Sequence, residues 1–314
     1  MRTSWPLVIA GVLCFCQAAA ARDVFVDNRA GDDRFLGRQP VATGDGSGPV
    51  RSIGRAVKLA RPGDRIVIAN TGVPYRESFS LVAGAFRSSP EVPMVILGNG
   101  AVLDGTAEVP RAAWRHYEGD VYRFRPPRVG HQQLILDDRP ATRVPAEPAP
   151  AEPPPLDALS WCLHGGYIYF AAEPGRLPYD YDLRYAEETV GITLWHVAHV
   201  AIFDLVVQGF QLDGVSAHNS AQPVRLVGVT SRRNGRSGVA VGAASLLRLD
   251  ACLLDDNAEA QLLTLPLSET YVTNSDLLGD AAPAWVDRGG RVYFDGERVE
   301  GGRVESLLAE EEDE

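Results

Sequence analysis

The chain has 314 residues, of which 41 are acidic and 30 basic, and its formal net charge is −11. A chain this acidic does not bind nucleic acid or anionic membranes through its net field. Two of its four cysteines, Cys14 and Cys16, fall in an N-terminal segment that we expect to be removed. The remaining two are too few for a disulfide framework, so stability must come from a hydrophobic core, which a chain of this length can supply.

The first 21 residues have the three-part pattern of a secretory signal peptide. One positive residue, Arg2, precedes an apolar run, and residues 18–21 are all alanine at the expected cleavage point. A membrane anchor is the alternative, but the run is shorter than the roughly 20 apolar residues that cross a bilayer. The pattern predicts a protein that is secreted, periplasmic or on the cell surface, without a membrane partner once the signal is removed.

Residues 22–107 contain short strand patterns and one helix pattern. RDVFVDN predicts an alternating strand and RIVIAN a second one. Between them, Ile53, Val57 and Ala60 recur at helical spacing, with Ser52 as the N-cap and Pro62 beyond the end. Further strands are predicted at ESFSLV, PMVILG and AVLDG, each cut short by Gly, Asn or Pro. Short strands at this spacing are typical of an all-β protein.

Residues 108–189 have a different composition. The segment is rich in aromatic residues and contains the stretch PAEPAPAEPPP, which predicts an extended polyproline-type loop. WCLHGGYIYFA predicts a hairpin with a turn at the two glycines. We interpret the segment as an insertion with its own hairpins.

From residue 190 onward the chain repeats at intervals of 23 or 24 residues. Two apolar columns carry the repeat: Ile202, Leu226, Leu249 and Val272, and Val215, Val239, Leu262 and Trp285. A period of this length predicts a solenoid in which each coil buries its apolar face against its neighbours. Asn234 and Asn257 then become neighbours, and stacked asparagine side chains can hydrogen-bond to one another.

Basic residues flank Asn234, and acidic residues flank Asn257. The register predicts three ion pairs between adjacent coils: Arg232 with Asp255, Arg233 with Asp256, and Arg236 with Glu259. Exposed pairs of this kind contribute only about 0–1 kcal/mol each, but they oppose a slipped register.

The sequence resembles the right-handed parallel β-helix proteins of the pectate-lyase-like superfamily. The resemblance is carried by VFVDNRAGDDR, PVRSIGRAVKLARPGDRIVIAN, ILGNGAVLDG and GITLWHVAHVAIFDLVVQGF. It implies an all-β fold, a right-handed parallel β-helix whose early helix caps the N-terminal end and which carries a hairpin-rich insertion. The expected parts are a cap with the first coils, the insertion, further coils, and a closing hairpin with an acidic tail: residues 22–107, 108–189, 190–287 and 288–314.

The resemblance implies a role with an extracellular polysaccharide, as a glycoside hydrolase or a polysaccharide lyase. The alternative is a non-catalytic carbohydrate-binding or cell-surface structural protein on the same scaffold, because this superfamily includes many activities. We expect a monomer in either case.

The candidate catalytic pair is Asp213 and His218. Asp213 is expected to be unpaired, and His218 follows on the next strand, so the two could perform acid–base chemistry. The alternative is a turn aspartate and an exposed histidine without a catalytic role.

The candidate substrate-binding residues are two arginines and two aromatic residues. Arg225 and Arg248 fall in one column, where an acidic sugar could bridge them, although both side chains could also extend into water. Trp114 and Tyr167 could stack on sugar rings, or they could form a small core that holds the hairpins together.

No metal site is assigned from the sequence. His196 and His199 fall in a strand-and-turn context without a third ligand, which does not favour zinc. Acidic pairs such as Asp137-Asp138 leave Ca²⁺ possible, although their spacing matches no established calcium loop.

Overall fold

The computed structural model describes residues 21–43, 46–148, 152–279, 282–300 and 303–304, and strands make up most of its regular structure. Residues 1–20 of the predicted signal peptide and the acidic tail after residue 304 lie outside the described residues.

The N-terminal elements include the predicted helix. They are β1 (Asp23–Val26), α1 (Ile53–Leu59), β2 (Arg65–Ile68), β3 (Phe79–Val82) and β4 (Met94–Asp104). Ser52 is the N-cap, and its Oγ accepts a hydrogen bond from the Arg55 amide at 3.1 Å. PMVILG and AVLDG were predicted as two strands but form the single strand β4. Asn99 and Gly100 take positive φ within it, and pairing with the next coil continues on both sides.

The insertion forms two sheets. Its strands are β5 (Thr106–Glu108), β6 (Arg115–Glu118), β7 (Val121–Phe124), β8 (Leu134–Leu136), β9 (Arg139–Pro140), β10 (Thr142–Arg143), β11 (Ser160–His164), β12 (Tyr167–Ala171) and β13 (Leu183–Ala186). The strands pair antiparallel, except that β10 and β11 are parallel. Strands β11 and β12 form the predicted hairpin. The sheets enclose a hydrophobic cluster of their own, which includes Trp161 and Phe170.

The repeating segment forms stacked coils. Its strands are β14 (Ile192–Trp195), β15 (Val200–Gln208), β16 (Asp213–His218), β17 (Val224–Val227), β18 (Thr230–Arg232), β19 (Ser237–Val241), β20 (Leu246–Asp250), β21 (Leu253–Asp255), β22 (Ala260–Thr264), β23 (Glu269–Thr273), β24 (Asp276–Leu277) and β25 (Trp285–Asp287). The chain alternates between two sheets, each built almost entirely of parallel strands. The first runs β1-β2-β4-β15-β17-β20-β23, and the second contains β3-β14-β16-β19-β22-β25.

The register confirms the predicted columns. Ile202 lies opposite Leu226, which lies opposite Leu249, and the column continues to Val272. The second column, from Val215 to Trp285, is paired in the same way in the second sheet. All these side chains are buried, so the core lies between the two sheets and each coil depends on its neighbours to cover it.

The two asparagines form the predicted ladder. Asn234 donates from Nδ2 to Oδ1 of Asn257 at 2.9 Å, and both side chains are fully buried. Glycine is required beside them, because a Cβ on Gly238 would lie 2.8 Å from Nδ2 of Asn257. Gly238, which follows Asn234, therefore makes room for the side chain of Asn257.

The predicted charge pairing is right in part. Arg232 lies opposite Asp255, and Nε of Arg233 lies 3.6 Å from Oδ2 of Asp256. Arg236 lies beside Glu259 as the register predicts, since the Glu259 amide donates to the Arg236 carbonyl at 2.9 Å. The expected ion pair between them is not formed, because the Arg236 guanidinium binds Asp213 of the preceding coil. Glu259 instead pairs with His131 of the insertion, because the insertion packs against this turn, which the period alone does not reveal.

The last strands close the stack. They are β26 (Arg291–Phe294), β27 (Glu297–Val299) and β28 (Arg303–Val304). Strand β26 continues the first sheet and forms an antiparallel hairpin with β27. Within the described ranges, no helix is long and apolar enough to cross a membrane.

Candidate functional site

Four side chains form a continuous row on the outer face of the first sheet. Arg225, Arg248, Tyr271 and Tyr293 lie in register on β17, β20, β23 and β26. Their neighbours along each strand are buried, apart from the half-buried Phe294, and alternation along a strand places the row itself outward. We call this row the arginine–tyrosine ladder.

The ladder is held in place by contacts between its own members. The rings of Tyr271 and Tyr293 stack with centroids 4.8 Å apart and planes inclined by 10°. The guanidinium carbon of Arg248 lies 4.5 Å from the centroid of Tyr271, a cation–π contact. Consecutive members are therefore spaced by about the 4.8 Å that separates hydrogen-bonded strands.

Both arginines of the ladder carry uncompensated charge. Neither Arg225 nor Arg248 forms an ion pair or hydrogen bond with a residue that the structure describes, although the protein as a whole is acidic. Both side chains are exposed. Two adjacent guanidinium groups repel each other, so an anion placed between them would be stabilised by both.

Carboxylates border the ladder without neutralising the arginines. Glu269 accepts a hydrogen bond from the Tyr271 hydroxyl and pairs with Nη2 of Arg291 at 2.8 Å. The bond to Glu269 raises the pKa of Tyr271, so the phenol stays protonated. Asp250 lies on the other side, with Oδ1 3.2 Å from Nδ2 of Asn274. An open groove of about 570 Å³ runs beside the ladder.

Comparison with solved structures finds likeness at the level of fold. A structure described as a glycoside hydrolase superimposes with a TM-score of 0.55 at 12% identity, covering 81% of this chain and 73% of that one. At this identity the likeness concerns the fold alone.

Two further structures superimpose less closely. XylC in complex with xylose has a TM-score of 0.45 at 11% identity, covering 90% of this chain and 73% of its own. Pectate lyase Pel9A has a TM-score of 0.24 at 9% identity, covering 90% of this chain and 79% of its own. Scores this low support no conclusion about this protein. No protein-family model and no curated protein matches the sequence.

Asp213 lies away from the ladder and is not free. It is on β16 in the second sheet, with no exposed surface. Arg236 binds both of its oxygens, at 2.9 and 2.5 Å, and Ser237 donates to Oδ1 at 2.6 Å. The expectation of an unpaired Asp213 is therefore wrong, and its carboxylate holds two coils together.

His218 is on the same strand as Asp213 but at its other end. Five residues of extended chain separate their Cα atoms by roughly 16 Å. The charge of Asp213 still acts on His218, but no hydrogen bond joins the two side chains. His218 is half-buried, and this burial lowers its pKa, so the ring is neutral at pH 7. The two groups cannot exchange a proton directly, and the catalytic role of the pair stays a prediction without geometric support.

The two predicted aromatic residues of the insertion differ in accessibility. Trp114 is 8% exposed, with its ring 4.8 Å from that of Phe124, so it belongs to the core that holds the hairpins. Tyr167 is half-buried on the outer face of its sheet, and the Arg123 guanidinium lies 4.9 Å from its ring centroid. Neither ring lies on the arginine–tyrosine ladder.

A small polar cavity lies between the coils and the insertion. It is lined by charged residues that include Asp104, Asp138, Arg184 and Arg233. Its volume of about 20 Å³ admits roughly one water molecule, so it cannot take a sugar ring in this conformation. Among the described residues, no three His, Cys, Asp or Glu side chains converge as metal ligands.

The tyrosines of the ladder could have been found from the sequence. Tyr271 and Tyr293 continue the column of Arg225 and Arg248 at intervals of 23 and 22 residues. The repeat interval of the apolar columns is therefore the sequence signal that points to these two tyrosines.

Proposed function

We propose that the protein is a secreted right-handed parallel β-helix that binds an extracellular polysaccharide along its arginine–tyrosine ladder. The coil period, the paired columns and the fold likeness at a TM-score of 0.55 support the β-helix. The observation that carries the binding role is the unpaired Arg225–Arg248 pair beside stacked tyrosines.

The ladder fits a polysaccharide that bears carboxylate or sulfate groups. Arginine presents a planar fork that matches such anions, and two forks about 4.8 Å apart can engage acidic groups on one chain. Tyr271 and Tyr293 offer flat apolar surface for the carbon-bound hydrogens of a sugar ring. The polymer would then run along the stacking direction, over several coils.

We propose binding without cleavage. Glycosidases place two carboxyl groups within about 10 Å of each other around the scissile bond. The carboxylates nearest the ladder, Asp250 and Glu269, are offset by four positions along the strand direction, which is about 13 Å. Glu269 is also engaged by Arg291 and Tyr271.

The test is affinity electrophoresis and calorimetry of residues 22–314 with polygalacturonate, alginate, chondroitin sulfate and neutral cellulose oligomers. We expect the protein to bind at least one anionic polymer. This binding should weaken as the salt concentration rises, because salt screens exposed charges. Replacing Arg225 and Arg248 with alanine should weaken it by about a hundredfold, roughly 2.7 kcal/mol.

The matched control is the double replacement of Arg29 and Arg61 with alanine, which removes the same charge from exposed sites at the other end of the chain. It should leave binding unchanged. Equal loss in both double variants would mean that net charge, not the ladder, determines binding. Release of reducing ends or unsaturated products from any of these polymers would show that the protein is an enzyme and overturn the non-catalytic proposal.

A further inference from the structure

The insertion carries a groove of its own, distinct from the arginine–tyrosine ladder. Its volume is about 370 Å³, within the range of small-ligand sites. One wall is the outer face of the sheet formed by β6, β7 and β12, and the other is the proline-rich segment 152–156. We call it the insertion groove.

The sheet side of the groove presents an exposed aromatic ring on a rigid support. Tyr117 is 37% exposed and meets Tyr169 edge to face, with centroids 5.0 Å apart. Tyr169 is buried, and its hydroxyl accepts a hydrogen bond from Nη1 of Arg123 at 3.1 Å. The Arg123 guanidinium also lies 5.4 Å from the Tyr117 centroid. These contacts fix the ring before any ligand arrives, which lowers the entropy lost on binding.

The opposite wall is rigid for a different reason. Three consecutive prolines, Pro153 to Pro155, have fixed φ angles, and Leu156 extends their apolar surface. An apolar wall facing a tyrosine ring leaves a flat slot between them. A sugar ring is flat and apolar on its faces and polar around its edge, so it matches such a slot.

The charged residues at the groove select the ligand. Glu118 and Glu152 line it, and both are exposed. Ionised carboxylates only accept hydrogen bonds, so a ligand there must donate them, as sugar hydroxyls do. A uronate or sulfated sugar would meet two like charges. We propose that the insertion groove binds a neutral sugar unit, with Tyr117 stacking on its ring and Glu118 and Glu152 accepting its hydroxyls.

The protein would then have two carbohydrate sites of opposite charge preference. The ladder would bind an acidic polymer through Arg225 and Arg248, and the insertion groove would bind a neutral sugar through Tyr117. The second site does not depend on the first, because the two share no residue.

The test measures binding of cellohexaose, xylohexaose and mannohexaose to residues 22–314 by calorimetry. We expect at least one of them to bind. Tyr117→Ala should weaken that binding by about tenfold, the equivalent of roughly 1.4 kcal/mol, whereas Tyr117→Phe should retain it because the ring remains. Glu152→Gln should weaken it less, since the amide keeps one acceptor oxygen.

The matched control is Tyr179→Ala, which removes another exposed tyrosine of the insertion outside the groove. It should bind the same hexasaccharide as the unmodified protein does. The proposal is overturned if none of the three neutral sugars binds, if Tyr117→Ala and Tyr179→Ala behave alike, or if a pentalysine peptide binds the groove and the sugars do not.

Testing each variant with the ligand of the other site distinguishes this proposal from the ladder proposal. The Arg225 and Arg248 double variant should bind the neutral hexasaccharide normally, and Tyr117→Ala should bind the anionic polymer normally. Loss of both ligands in either variant would place them in one site and contradict the assignment of two.

Discussion

Replacing Asn257 with alanine tests whether the buried asparagine ladder holds the coils in register. The Asn257 side chain accepts from the backbone amide of Asn234 at 3.0 Å and donates to the carbonyl of Ser231 at 3.0 Å. It also donates to Oε1 of Gln261 at 2.7 Å, and the site has no exposed surface. Alanine can make none of these bonds.

The expected cost follows from the buried groups that lose their partners. The Asn234 amide and the Ser231 carbonyl are main-chain groups of the preceding coil, and each unsatisfied buried group costs about 1–3 kcal/mol. We therefore expect Asn257→Ala to lower the free energy of unfolding by about 3 kcal/mol. Urea unfolding followed by circular dichroism and tryptophan fluorescence measures this, with an unchanged m-value showing that the comparison is valid.

Asn70→Ala is the control for this measurement. Asn70 is exposed, and its Nδ2 donates to the Gly100 carbonyl at 3.1 Å where water can replace it. Its loss should cost no more than about 1 kcal/mol. If Asn257→Ala costs as little as Asn70→Ala, the ladder does not hold the coils together and the reasoning from buried unsatisfied groups fails.

Three further outcomes are expected. Asp213→Asn should lower stability by about 3–5 kcal/mol, because the partly buried Arg236 guanidinium loses the carboxylate that it binds; urea unfolding checks this, and a loss under 1 kcal/mol contradicts it. The lowered pKa of His218 means that the unfolded chain binds its proton more readily, so stability should fall as pH drops below about 6.5; His218→Gln should flatten that part of the profile. Burial raises the pKa values of Cys162 and Cys252 to about 11, so neither thiol should react with a disulfide reagent at pH 8 until the chain is unfolded.

The candidate site was only partly predictable. The column that joins Arg225 to Arg248 follows from the period, and the structure places the two residues opposite each other. Their exposure and lack of carboxylate partners depend on what packs against that face, which spacing does not encode. Asp213 shows the converse: the register places Ser237 opposite it, yet the Arg236 guanidinium reaches it from the neighbouring turn.

The amino-acid sequence by itself determined the coil. Apolar, asparagine and small residues recur in constant columns every 23 or 24 residues, and this repeat is visible in the sequence alone. Stacking follows from it, because no coil can bury its apolar face alone. Only the tertiary structure decided where the insertion lies. Its packing against the coils pairs His131 with Glu259, and its own folding buries Trp114 while leaving Tyr117 open. These contacts join segments with no common period, so their geometry depends on how two separately folded surfaces fit together.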